Sequence, residues 1–364
     1  MKVLFSIFIF IFIFVLLQRK CSLKAIFVLC LLVFSTHAHT GDCTGTNYWA
    51  ATNDGTQKSW SDSANWVNKH GNPTNAPTDT SVVCFNGAHS LASVKLTQNT
   101  TIRELKVSNP YSGTINLNGF NLITNRKMAI HGSATALVPS SSLLRSKKDL
   151  VIGDHSTVTA SGSGKIEVKS NLKIYGTLTA PSSQGSFIVK GGFNLYSGGT
   201  FNHNNGTVTL TTRYKNKNNA PTAAINIQNG PGTGRNFYNL TKRHKKNIYL
   251  ANHIEIENDF TIVSSGYVRA QHLNGTNYNI TVGGDINIGQ SGNFQAKSGK
   301  VILNGSSAQT IKSAASFKHL QISNSDVSLL RAATVSGTLT IDSGATLDIN
   351  GNNLTAVTLA NNGN

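Results

Sequence analysis

Residues 191–210 have the sequence GGFNLYSGGTFNHNNGTVTL, and residues 283–303 repeat its pattern as GGDINIGQSGNFQAKSGKVIL with one insertion. A second pair follows, because residues 237–263 match residues 317–341. The copies are 92 residues apart at the start of the first pair and 80 apart at the start of the second, so the earlier copy carries about a dozen extra residues, which we place within residues 213–235. A long repeat of short apolar alternations and glycine turns predicts a stacked solenoid.

Much of the chain shows the alternation of apolar and polar residues that is typical of β-strands. Residues 207–210, 300–303, 337–341 and 345–349 alternate apolar residues with Thr, Lys or Asp, which gives each segment one apolar face. Gly-Gly, Asn-Gly and Ser-Gly pairs separate such segments and are suited to tight corners. Short strands at this spacing also fit a sandwich or a barrel, but their recurrence in the same order favours stacked coils. We predict an all-β fold, a parallel β-helix (β-solenoid) with an atypical N-terminal cap.

The chain begins with two apolar runs, residues 3–17 and 25–34, separated by a basic patch. The second run ends in Ser-Thr-His-Ala, which is typical of a signal peptide cleaved after Ala38. The alternative is that residues 3–17 anchor the chain, although this run is short for a membrane span of roughly 20 residues. The predicted organisation is a signal peptide at 1–38, an N-terminal cap at 39–95 and a β-solenoid repeat domain at 96–364, with no membrane span in the mature chain.

The chain is strongly basic, with a formal net charge of +17. Residues 1–38 carry four cations and no acid, so the remainder has 28 basic and 15 acidic residues, a net charge of +13. A positive field of this size attracts an anionic polysaccharide or another anionic cell-surface polymer, and it binds nucleic acid only non-specifically. The alternative is that the cations only solvate the outer face of a sheet and protect it from aggregation.

The densest basic run predicts an anionic-ligand site at Lys242, Arg243, Lys245 and Lys246. Binding there by charge alone is expected to weaken with salt. The alternative is a solvated loop in the region of the extra residues.

A row of acids is the candidate metal site. Glu255, Glu257 and Asp259 alternate with other residues, so a continuous strand would place all three carboxylates on one face. Three carboxylates suit a calcium ion, and a polysaccharide lyase or hydrolase on this fold would need clustered carboxylates of this kind. The alternative is that the basic run, about one coil earlier, forms ion pairs with them. We otherwise expect no catalytic residue and no cofactor.

The first part of the mature chain differs in composition from the rest. Trp49, Trp60 and Trp66 are all the tryptophans in the chain, and Cys43 and Cys84 lie nearby in sequence. A solenoid needs cover over its first coil, and buried rings provide it; exposed tryptophans would instead stack on glycan rings. In an oxidising compartment the two cysteines can form one disulfide. The alternative is that they stay free as small buried residues.

Several segments resemble a known group of proteins. Residues 60–66 (WSDSANW), 77–83 (PTDTSVV) and 113–117 (GTINL), with recurring Phe-x-x-Leu-x-Ile and Gly-x-Leu-x-Ile units, are similar to secreted bacterial β-solenoid surface proteins. The resemblance is to autotransporter passengers and haemagglutinin-type adhesins, and it spans most of residues 47–359. It implies a parallel β-helix with an adhesive surface.

The expected function is therefore that of a secreted, non-enzymatic β-solenoid that serves as a structural or adhesive protein at a cell surface or in an extracellular matrix. Residues 354–359 resemble a strand and no cap follows them, which predicts end-to-end association into a homo-oligomer or fibre. The alternatives are a polysaccharide lyase or hydrolase and a carbohydrate-binding protein on the same fold.

Overall fold

The computed structural model describes residues 43–211, 224–245, 247–263, 267–271, 274–289, 293–295 and 298–363. These residues form short strands that wind into coils, and the strands of successive coils pair in parallel. Apart from the 3₁₀ turn Ser63–Asn65, the described residues contain no helix. The predicted all-β parallel β-helix is confirmed.

Each coil contributes strands to three faces, which we name A, B and C in the order in which the chain visits them. Face A is a 12-stranded sheet of Trp66–Val67, Asn47–Trp49, Val82–Phe85, Glu104–Val107, Met128–Ile130, Leu150–Ile152, Leu172–Ile174, Phe193–Leu195, Ala224–Ile227, Ile248–Leu250, Tyr267–Arg269 and Asn293–Gln295. Face C is a 12-stranded sheet of Thr100–Ile102, Asn121–Thr124, Leu143–Ser146, Lys165–Val168, Ser186–Val189, Thr207–Leu210, Asn239–Lys242, Phe260–Ile262, Ile286–Ile288, Gln309–Ile311, Val327–Leu329 and Leu347–Asp348.

Face B is built from two sheets. The first holds Lys58–Ser59, Val94–Lys95, Thr114–Asn116, Thr135–Val138, Thr157–Ala160, Thr177–Thr179 and Thr200–Asn202. Phe237, which forms a parallel bridge to Ile256, continues this face into the second sheet. That sheet holds the face B strands Ile254–Ile256, Ile280–Val282, Lys300–Leu303 and His319–Ile322. It also contains Ala315–Phe317, which follows the face C strand Gln309–Ile311 and therefore lies on face A, and the long strands Ala333–Ile341 and Leu354–Asn361, which run over faces A and B. Ala333–Ile341 pairs with both Ala315–Phe317 and His319–Ile322, so it passes a corner without a break.

Inward side chains stack in register from coil to coil. On face C, Leu122, Leu144, Ile166, Phe187 and Val208 occupy the same position in successive coils, and each is at most 2% exposed. Neighbouring strands lie about 4.8 Å apart, so each apolar side chain packs directly on the next. Burying one side chain of this size contributes about 1.5–3 kcal/mol. The core is therefore a continuous column along the solenoid.

The internal repeat does not coincide with whole coils. Phe193–Leu195 on face A matches Ile286–Ile288 on face C, and Thr207–Leu210 on face C matches Lys300–Leu303 on face B. The later copy is therefore displaced by one face. The recurring unit is a strand with its turn, because all three faces require the same alternation of inward apolar and outward polar residues.

The extra residues of the earlier copy follow Thr207–Leu210, in a long connection to Ala224–Ile227. Residues 212–223 of this connection lie outside the described residues, as do residues 1–38 of the predicted leader.

An antiparallel strand borders the N-terminal end of face A. Asn47–Trp49 pairs antiparallel with Trp66–Val67 on one side and parallel with Val82–Phe85 on the other. A disulfide joins Cys43 to Cys84 with their Cα atoms 5.6 Å apart, which decides between the two alternatives for these cysteines. The bond ties the first described residue to the second strand of the parallel stack.

We expect Ile166→Ala to lower the free energy of unfolding by about 2–5 kcal/mol. Ile166 is 1% exposed and stacks between Leu144 and Phe187, so truncation leaves a cavity within the column. Urea unfolding followed by circular dichroism measures the change. The matched control is Thr159→Ala on the outer side of face B, which should change stability by no more than about 0.5 kcal/mol. Equal losses in the two variants would contradict a column held together by its inward residues.

We expect loss of the disulfide to destabilise the cap by about 2–4 kcal/mol, because the bond closes a 41-residue separation. The double variant Cys43→Ser, Cys84→Ser tests this, and wild-type protein in reductant is the control that keeps the side chains unchanged. Since all three tryptophans lie in the cap, their fluorescence follows the cap while circular dichroism follows the whole column. We expect the fluorescence transition to shift to lower denaturant concentration; unchanged cap unfolding in both samples would refute the prediction.

Candidate anion-binding corner

Five successive turns between faces C and A stack on one another. Hydrogen bonds between neighbouring turns fix this register, as the backbone N–H of Arg126 donates to the carbonyl of Arg103 at 2.7 Å. The backbone N–H of Lys190 donates to the carbonyl of Val168, the last strand residue before the turn at residues 169–171, at 2.8 Å. Side chains of these turns therefore form rows along the solenoid. The turns are residue 103 and residues 125–127, 147–149, 169–171 and 190–192.

These turns hold seven cations and one acid, Asp149. Five of the cations are exposed, and the other two, Lys169 and Lys190, are half-buried. We name the seven the basic corner: Arg103, Arg126, Lys127, Lys147, Lys148, Lys169 and Lys190.

The corner continues beyond the long connection. The backbone N–H of Thr211 donates to the carbonyl of Val189, and that of Arg243 donates to the carbonyl of Leu210, both at 2.9 Å. Arg243 therefore lies in the same row of turns, and both Arg243 and Lys245 are exposed. Part of the predicted anionic-ligand run thus extends the basic corner.

Ion pairs neutralise little of this charge. Lys190 pairs with Glu167 at 2.7 Å, while Asp149 pairs with Lys173 of face A at 3.3 Å. Burial acts to raise the pKa of Asp149, but hydrogen bonds and the charge of Lys173 hold that pKa below its ordinary value, so the carboxylate is ionised near neutral pH. In the part of the chain that the structure describes, no other cation of the basic corner takes part in an ion pair.

Lys242 corrects the predicted anionic-ligand site, because its side chain is 1% exposed. It follows Leu240 by two residues on the same strand, so it occupies an inward position. Its Nζ donates to the carbonyl oxygen of His244 at 2.7 Å, and burial lowers the pKa of Lys242 to about 8. A buried amine of this kind is not available to a polymer outside. Lys246, the last residue of the run, lies outside the described residues.

The three carboxylates of the predicted metal site are not brought together. The strand Ile254–Ile256 ends before Glu257, so Glu257 and Asp259 lie in the turn that follows. Glu255 points outward on face B, and Glu257 pairs with His203 at 3.0 Å. Among the described residues, no group of three or more His, Cys, Asp or Glu side chains has the geometry to hold a metal ion. The expectation of a shared carboxylate face is wrong because the strand ends at Ile256, whereas the alternation of acidic residues in the sequence continues to Asp259.

Asp259 has a structural role at its corner. Its Oδ1 accepts the backbone N–H of Asp285 in the next coil at 2.9 Å. Asp285 in turn accepts both the backbone N–H and the hydroxyl of Thr310 at 2.7 Å, and its Oδ2 pairs with Lys312 at 2.6 Å. Burial acts to raise the pKa of Asp285, but these hydrogen bonds and the charge of Lys312 hold that pKa below its ordinary value. These side chains join successive turns as a ladder.

The three tryptophans are core residues of the cap, as the interpretation of buried rings predicts, and the alternative of a glycan-stacking surface is wrong. Trp49, Trp60 and Trp66 are 1%, 2% and 0% exposed. The ring of Trp66 lies 4.9 Å from that of Trp49 and 5.0 Å from that of Trp60, in edge-to-face contacts. The indole N–H of Trp49 donates to the carbonyl of Ala92 at 2.7 Å. Rings buried on all sides have no face left for a sugar, and they cover the first coil instead.

Comparison of the chain with protein-family models, curated proteins and solved structures found no match. The resemblance to bacterial surface solenoids therefore remains a prediction. Among the described residues, no helix has both the length and the apolar character needed to cross a bilayer.

Sequence reasoning missed most of the basic corner because its members are far apart along the chain. Arg126 and Lys148 are 22 residues apart, as are Lys147 and Lys169, and Lys190 follows after another 21. These intervals equal one coil. A search for cations that recur at the coil period, directly after a strand, is the signal that finds them.

We expect Lys242→Met to stabilise the protein at pH 7 and to lose this advantage as the pH rises. The folded state binds the Lys242 proton only below a pKa of about 8, while the unfolded chain binds it up to about 10.5. Stability of the wild type therefore rises between these two values, and below them the buried charge costs about 3 kcal/mol. Urea unfolding of wild type and variant at pH 7 and pH 10 measures the difference.

The control for Lys242→Met is Arg243→Gln, which removes an exposed charge from the adjacent residue. This variant keeps the buried Lys242, so its stability difference from wild type should be the same at pH 7 and pH 10. A stability difference between Lys242→Met and wild type that is the same at both pH values would rule out the titration of a buried amine.

Proposed function

We propose that this protein is a secreted, non-enzymatic β-solenoid that acts as a structural and adhesive component of a cell surface or an extracellular matrix. The observation that carries the proposal is the basic corner, a row of exposed cations repeated in successive coils with few ion pairs. A surface of this kind attracts anionic polymers over a distance and holds them through many weak contacts. The rigid column beneath keeps the charges in place.

The disulfide between Cys43 and Cys84 supports a location outside the cytosol, because such bonds persist in oxidising compartments. The leader pattern in residues 1–38 is consistent with that location. The stacked core supports a structural role, since every coil is held by its neighbours along the full column.

Retention of the purified protein on immobilised acidic polysaccharide, compared with a neutral polysaccharide, tests the proposal. We expect retention on the acidic polymer at low salt, release at high salt and no retention on the neutral one, because the attraction is electrostatic. The same samples are assayed with calcium present for newly formed sugar ends, and we expect none.

The alternatives give different results in the same assay. Calcium-dependent release of sugar ends would establish a polysaccharide lyase or hydrolase and overturn the proposal. Salt-independent retention on the neutral polysaccharide would instead establish a carbohydrate-binding protein that recognises sugar rings. Failure to bind any anionic polymer at low salt would remove the adhesive function altogether.

A further inference from the structure

We infer that the basic corner is a binding site for one linear acidic polysaccharide, which lies parallel to the solenoid axis with its carboxylates placed against successive turns. This inference rests on the proposed function and deepens it by naming the site, the ligand class and the direction of the chain. Binding then depends on the seven cations of the basic corner rather than on the net charge of the protein.

The stacking of the turns sets the direction. Hydrogen bonds from each turn to the preceding coil hold the rows in register, for example from the backbone N–H of Lys147 to the carbonyl of Thr124 at 2.9 Å. Four coil steps of about 4.8 Å separate Arg103 from Lys190, so the described corner is about 19 Å long. Its cations are spaced along the solenoid axis and all lie on one edge. An extended polymer meets all of them only when it runs along that edge.

The spacing of the charges favours a polysaccharide. A uronic acid polymer carries one carboxylate on each sugar ring. In a chain linked through positions 1 and 4, the distance from one ring to the next is comparable with the spacing of about 4.8 Å between coils. Arg103 and Arg126 occupy neighbouring turns, and a guanidinium group binds a carboxylate through two parallel hydrogen bonds. Lys127, Lys147 and Lys148 add exposed ammonium groups in the same turns. Each coil thus provides at least one cation, so each acidic sugar along the corner can meet one cation.

The composition of the turns disfavours nucleic acid. The cations share the five turns with only Asn, Ser, Gly and Asp, and no aromatic residue is present. Proteins that bind single-stranded nucleic acid combine positive charge with aromatic side chains on which the bases stack. Measured along the axis of a duplex, the phosphates of one strand recur about every 3.4 Å, which is shorter than the spacing of about 4.8 Å between coils. Nucleic acid is therefore the competing ligand in the test.

The test measures the affinity of the purified protein for oligogalacturonates of increasing length. We expect affinity to rise with length until the oligomer spans about 19 Å of the corner and to rise more slowly beyond that. The triple variant Arg126→Gln, Lys127→Gln, Lys148→Gln should bind the long oligomer about 10- to 100-fold more weakly, because it removes three exposed contacts.

The matched control is Lys69→Gln, Lys95→Gln, Lys165→Gln, which lowers the net charge by the same three units. Lys69 lies in a cap turn, Lys95 on face B and Lys165 at the start of a face C strand, so none belongs to the basic corner. We expect this variant to bind within about twofold of wild type, since only the general field changes. Thermal unfolding followed by circular dichroism verifies that both variants keep the fold.

Three results would overturn the inference while leaving the proposed adhesive function in place. Equal losses in the two triple variants would show that net charge, and not the corner, binds the polymer. Affinity that does not depend on oligomer length would contradict a chain aligned with the axis. Tighter binding of single-stranded DNA than of an oligogalacturonate of the same charge, lost in the corner variant, would assign the corner to nucleic acid. If wild type binds no anionic polymer at all, the proposed function fails together with the inference.

Discussion

In-register contact between successive coils is the interaction on which the rest of the structure depends. A single coil of short strands has no interior of its own, so its inward side chains are removed from water only by the coils on either side. The same contact fixes the backbone, because strand and turn hydrogen bonds run from coil to coil. Turns as different as residue 103 and residues 125–127 are stacked by this regularity. Side chains on the surface therefore recur along the solenoid at the same spacing as the stacked side chains of the core.

Much of the fold was predictable because the core requires a simple pattern. Alternation in segments such as Thr207–Leu210 identifies the inward residues, and small turn residues mark the corners. The assignment of strands to faces was not predictable from the repeat, because every face imposes the same alternation. Ile286–Ile288 can therefore lie on face C although its counterpart Phe193–Leu195 lies on face A.

The candidate site was harder to predict because side-chain direction depends on where each strand ends. Lys242 continues the inward alternation set by Leu240, so the sequence contained the signal that it is buried, although its charge suggested a surface position. The prediction that Glu257 and Asp259 share a face with Glu255 was wrong for another reason. The alternation in the sequence continues past the end of the strand Ile254–Ile256. Charge density along a short segment is thus a poor guide in a solenoid, where neighbours in space are one coil apart in sequence.

The displaced repeat has a consequence for how such a protein changes over evolutionary time. Because the recurring unit is a strand with its turn, gain or loss of one unit preserves the core alternation and rotates all later surface residues by one face. The matched turns illustrate this: Arg243 and Lys245 lie between faces C and A, whereas the corresponding residues 323–326 lie between faces B and C and include no cation. Duplication of a fraction of a coil therefore moves surface features around the axis at little cost in stability. The solenoid can acquire a new arrangement of edges without redesigning its interior.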